Sequence, residues 1–128
     1  MIKLRQYQKE ASEKLMELCI REGFGYLSGE CRTGKTLVAL SVVKSMEENQ
    51  VLIITKKKAI SSIKKDIDLM DLTDKVVVTN FEQLKHFEDT SWNIVIVDEA
   101  HSVGAFPKPS QRQQNILKLR YGIIILMS

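Results

Sequence analysis

Five stretches of this chain, 24–27, 51–54, 76–79, 94–97 and 121–127, are apolar along nearly their whole length instead of at every second residue. A strand with one wet face alternates, whereas a continuous run buries both of its faces. Between these runs lie segments with a different rhythm. Leu4, Tyr7, Ala11, Leu15, Leu18 and Cys19 recur at helical spacing, and the pattern stops near Gly23. Leu37, Val38, Leu40, Val43 and Met46 predict a helix that is apolar nearly all round. Ile60, Ile63, Ile67 and Met70 mark one face of another, and Phe81 to His86 reads as a short helical segment. A last helix, entered from Pro107, Pro109 and Ser110, would carry Ile116, Leu117 and the aliphatic stem of Arg120 inward. Strands that are apolar throughout, alternating with helices, predict an α/β fold: a mainly parallel sheet covered by helices on both faces.

The chain is 128 residues long, enough for one domain with its own core and no staples. The two cysteines, Cys19 and Cys31, supply neither a disulfide framework nor a four-ligand zinc site. The longest apolar runs fall far short of the roughly 20 residues a membrane span needs, and residues 1–20 lack the apolar core of a signal peptide, so an intracellular setting is expected. With 19 basic and 16 acidic side chains the net charge is +3, too mild by itself to imply a polyanionic partner.

Gly29-Glu30-Cys31-Arg32-Thr33-Gly34-Lys35-Thr36 matches G-x-x-x-x-G-K-T and falls between a predicted strand and a predicted helix. In that setting the loop amides and the helix N-terminus face phosphates, Lys35 offers its ammonium to the β- and γ-phosphates, and Thr36 offers a hydroxyl to Mg²⁺. A chance match in a chain this long has odds of roughly 1 in 200, before the strand and helix context is required. About 60 residues on, the run Ile94 to Val97 ends in Asp98-Glu99-Ala100-His101. Carboxylates at the C-terminal end of a buried parallel strand stand where open α/β sheets bind ligands. Asp98 would hold Mg²⁺ through water, Glu99 would orient and deprotonate an attacking water, and His101 would link the γ-phosphate site to other parts of the fold. Lys56-Lys57-Lys58, just past the second strand, forms a compact cationic run suited to nucleic-acid phosphates. Trp92 and Phe81 read as packing residues and not as platforms for bases.

In order along the chain, these residues resemble the first RecA-like lobe of superfamily 2 helicases and translocases, and are most similar to the Snf2-like branch. Leu4-Arg5-Gln6-Tyr7-Gln8 looks like the adenine-contacting N-terminal motif, Gly29 to Thr36 like motif I, Thr55 to Lys58 like motif Ia. Thr79-Asn80-Phe81 with Gln83-Leu84 resembles motif Ib, Asp98 to His101 motif II, and Leu126-Met127-Ser128 the beginning of motif III. Arg32 stands where that branch usually has glycine, and Gln6 where it has proline.

The resemblance implies a single RecA-like ATP-binding lobe over 1–128, ending at the start of motif III, with the 121–127 strand between the phosphate-loop strand and the Asp98 strand. It implies ATP and Mg²⁺ as ligands, with Gln8, Arg5, Gly29, Arg32, Thr33, Gly34, Lys35, Thr36 and His101 around the nucleotide. Thr36 and Asp98 would serve the metal, and Glu99, Lys35 and Asp98 the chemistry. Thr55, Lys56, Lys57, Lys58, Thr79 and Asn80 would face nucleic acid, expected to be DNA. A second RecA-like lobe would supply the arginine that completes hydrolysis. The competing expectation is a nucleotide-binding or interaction module without enzymatic activity that docks on a partner. A kinase or GTPase is disfavoured, since neither a guanine-reading N-K-x-D nor a lid-type arginine cluster is visible.

Overall fold

The structure, a computed structural model, describes residues 6–27, 35–47, 49–87, 90–98 and 120–127. Helix α1 (Gln6–Glu22) runs into strand β1 (Phe24–Leu27), and helix α2 (Lys35–Ser45) leads to β2 (Val51–Thr55). A 3-10 turn (Lys57–Ala59) opens α3 (Ile60–Leu69), followed by β3 (Val76–Asn80), a 3-10 segment (Phe81–Phe87), β4 (Ser91–Val97) and β5 (Arg120–Met127). The five strands form one sheet in the order β1-β5-β4-β2-β3, and every neighbouring pair is parallel. The expected place of the last strand, between the phosphate-loop strand and the Asp98 strand, is thus the observed one.

Two apolar clusters lie on opposite faces of the sheet, divided by the alternation of side chains along each strand. Val51, Ile53, Ile94, Ile96 and Ile125 face α1, α2 and α3 through Leu15, Cys19, Val38, Val43, Ile63 and Ile67. Leu52, Ile54, Val95 and Val97 face the other way, against Phe81, Leu84 and Trp92. Crossover handedness explains the division. The connections β1 to β2 and β2 to β3 travel in the same direction across the sheet, so right-handed crossovers lay α2 and α3 on one face. The connection from β3 to β4 travels back, and its 3-10 segment accordingly lands on the opposite face.

Helix α1 stops as its sequence predicts. Gly23 takes φ 79°, a left-handed value suited to glycine, and its N–H bonds the Cys19 carbonyl at 2.9 Å. Gly25 then lets the helix lie directly on β1, because a Cβ there would collide with Leu15 and press on Cys19 Sγ at 3.0 Å.

Phe81–Phe87 is the short helical segment expected there, wound in 3-10 form. The structure departs from the sequence expectations in three places. Strand β4 begins at Ser91, before its continuous apolar run. Arg120, expected on a helix, opens β5, because the pairing of Ser91 with Arg120 extends the parallel ladder beyond the apolar residues. Phe24 and Tyr26 are 48% and 52% exposed, since β1 is an edge strand and not an interior one. The helix expected over Ile116 and Leu117 lies outside the described residues.

Candidate functional site

In a parallel sheet all strands end on the same side, and the ends of β1, β5, β4, β2 and β3 fall along one edge at Leu27, Met127, Val97, Thr55 and Asn80. The residues singled out in the sequence follow those ends. Lys35 and Thr36 open α2 after β1, and Thr36 is half-buried; the Lys35 side chain lies outside the described residues. Asp98 follows β4, Lys56 to Lys58 follow β2, and Asn80 closes β3.

Asp98 is held at two points by the end of β2. Its backbone N–H donates to the Ile54 carbonyl at 2.8 Å, and its Oδ2 accepts a hydrogen bond from the Thr55 hydroxyl, also at 2.8 Å. Thr55 is fully buried. Its hydroxyl is turned inward onto the carboxylate. Thr79 is likewise buried, and its hydroxyl reaches only the neighbouring Asn80 carbonyl, at 3.5 Å. Asn80 Oδ1 accepts from the Gln83 N–H at 3.0 Å, so Asn80 caps the 3-10 segment that follows it.

The exposed cations are Lys57 and Lys58, with Lys56 half-buried beside them. Lys56 and Lys57 share a hollow of about 240 Å³ with Asn80, Phe81, Glu82 and Gln83. Glu82 lines that hollow, a feature the sequence did not single out. The expected cationic track and motif Ib are brought together here, with Thr55 and Thr79 beneath the surface.

Gln8 is buried on α1, where a polar side chain needs a reason to be. One turn on, buried Ser12 donates its hydroxyl to Ser41 of α2 at 3.2 Å and ties the two helices together. Arg5, Gly29, Arg32, Thr33, Gly34, Glu99 and His101 lie outside the described residues. Trp92 and Phe81 are buried as packing residues, and the Trp92 ring lies 6.0 Å from that of Phe87.

Asp98 and Thr36 are hard oxygen donors, the type Mg²⁺ takes. Among the described residues no group of three or more His, Cys, Asp or Glu could hold a metal ion. No helix among the described residues is long and apolar enough to cross a membrane.

None of the curated proteins searched matches this sequence. In fold, the chain is similar to a Sulfolobus solfataricus SWI2/SNF2 ATPase core solved in complex with dsDNA, with a TM-score of 0.86 at 16% identity over 99% of this chain and 32% of that one. It is also similar to a nuclease-deletion mutant of the Type ISP restriction-modification enzyme LlaGI, solved with a DNA substrate mimic. There the TM-score is 0.73 at 15% identity, over 99% of this chain and 17% of the other. The chain therefore spans a third or less of the length of these structural relatives. The sequence model for the family described as type III restriction enzyme, res subunit, matches residues 1–66, half of the chain. The five-stranded parallel sheet is that of a RecA-like lobe of superfamily 2, and the chain belongs to the type III restriction enzyme res subunit family.

Proposed function

We propose that this chain is the ATP-binding lobe of a DNA-dependent ATPase that couples hydrolysis to movement on DNA, acting with a second RecA-like lobe. One observation carries the reading. The start of α2, the doubly anchored Asp98 and the lysine run all lie along the same edge of one parallel sheet, so groups suited to phosphate, metal and nucleic acid share a border. The two solved relatives were each captured with DNA or a mimic of it, which supports DNA as the polymer.

In this reading Gln8 and Arg5 contact the adenine, while Gly29, Arg32, Thr33 and Gly34 wrap the phosphates. Lys35 places its ammonium at the β- and γ-phosphates. Thr36 and Asp98 hold Mg²⁺, which when bound neutralises charge on the phosphoryl oxygens. Glu99 takes a proton from the attacking water, and His101 joins the γ-phosphate site to the rest of the fold. Lys56, Lys57 and Lys58 grip the polymer's phosphates without reading bases.

Titration calorimetry with ATP and Mg²⁺ tests the nucleotide half. Lys35→Ala should weaken binding by about ten- to a hundredfold, the usual loss of a charge-assisted contact; equal affinities would remove Lys35 from the phosphates. A phosphate-release assay tests the other half. The 128-residue chain alone should turn over very slowly with or without DNA. A protein extended through a second lobe should gain about 10³- to 10⁵-fold, the worth of an arginine facing the transferred phosphoryl group. Robust DNA-stimulated turnover by the short chain would overturn the need for a second lobe.

A further inference from the structure

Thr55 ends an otherwise wholly apolar strand, Val51-Leu52-Ile53-Ile54, at a position with no exposure to solvent. Valine has the same shape and the same preference for strands, and would fill the position without a hydroxyl to satisfy. A buried hydroxyl is costly unless it is paired, and among the described residues this one pairs with the Asp98 carboxylate at 2.8 Å. The threonine hydroxyl donates this bond and the Asp98 carboxyl oxygen accepts it. The neighbouring residue of the same strand, Ile54, holds the Asp98 backbone through its carbonyl. Backbone and carboxylate of Asp98 are thus fixed by two consecutive residues of β2, which leaves the side chain little freedom to rotate.

We propose that Thr55 is a positioning residue for the metal site: its buried hydroxyl sets the orientation in which Asp98 presents its carboxylate to Mg²⁺. This rests on the reading of Asp98 as a metal-holding group. Residues that hydrogen-bond a metal-holding carboxylate commonly govern metal affinity by about ten- to a hundredfold, and Thr55 stands in that relation to Asp98.

The test uses nucleotide affinity with Mg²⁺ and with the metal removed by chelator, measured on the parent, Thr55→Val and Thr55→Ser. Thr55→Val keeps the shape and removes the hydroxyl, and should lose about ten- to a hundredfold in the Mg²⁺ concentration needed to support ATP binding. Its affinity for metal-free ATP should match the parent's, a result that a general loss of folding would not give. Thr55→Ser restores a hydroxyl and should recover most of the Mg²⁺ dependence. Equal Mg²⁺ dependence in Thr55→Val and the parent would overturn the proposal while leaving the ATP site standing, and so would equal losses with and without metal. A parent that binds ATP with no dependence on Mg²⁺ would overturn the reading of Asp98 itself, and the proposal with it.

Discussion

At the level of single residues, one edge of the sheet sorts its polar groups by depth. Thr55 and Thr79 lie beneath the surface and Lys57 and Lys58 stand on it, so under the proposed function the lysines are the groups placed to meet a polyanion. Replacing Lys56, Lys57 and Lys58 together by alanine should flatten the dependence of log K on log salt for duplex DNA by up to about 2.7, with little change in sequence preference. An unchanged slope in a salt series of binding isotherms would move the track elsewhere. Glu82 lines the same hollow, and under the proposed function its negative charge opposes a phosphate there. Glu82→Gln should therefore tighten binding by a few fold at low salt, a gain that fades as ions screen the charge. The lysine run could be read from the sequence because it is contiguous. The role of Thr55 could not, because its partner is 43 residues away and on a strand whose neighbour only the sheet order reveals.

At the level of elements, the contact between α1 and β1 depends on the absence of a side chain. Gly25→Ala should cost about 1–3 kcal/mol, since the added methyl meets Leu15 and Cys19 in a packed interior. Denaturant unfolding would register it as a lower midpoint with an unchanged slope. Helix α3 carries a different tension. Asp66 is half-buried, and burial pushes its carboxyl above the ordinary range while Lys65 partly offsets the shift. A carboxyl with a raised value in the folded state binds its proton more tightly there than in the unfolded chain. Stability is therefore lost as pH climbs from the ordinary carboxylate value through the raised one. Asp66→Asn should raise the melting temperature near neutrality, and the gap should close as acid protonates the parent. A gap that widened in acid would contradict the assignment. The periodicity of α1, α2 and α3 was plain in the sequence, as was the stop at Gly23. The 3-10 form of Phe81–Phe87 was not, since a seven-residue segment offers too few turns to separate one helical period from the other.

At the level of the whole molecule, strands apolar throughout dictated a sheet covered on both faces, and handedness then assigned each crossover to its side. The exposed aromatics of β1 escaped that reasoning because periodicity shows how apolar a strand is and not whether it lies at an edge. The strand order also has a bearing on how the chain assembles in time. Among the described residues, strand β1 bonds to β5 and to no other strand, while β2, β3 and β4 pair among themselves within residues 51–97. A three-stranded unit can therefore close early, but β1 must wait for residues 120–127 before its ladder forms. During synthesis at about 5–20 residues per second, that wait is on the order of ten seconds, with Phe24 and Tyr26 on an unpaired ribbon throughout. The ladder of β1 is thus completed by the last of the five described strands to emerge, and the nascent chain is most open to misassociation in the interval before it does.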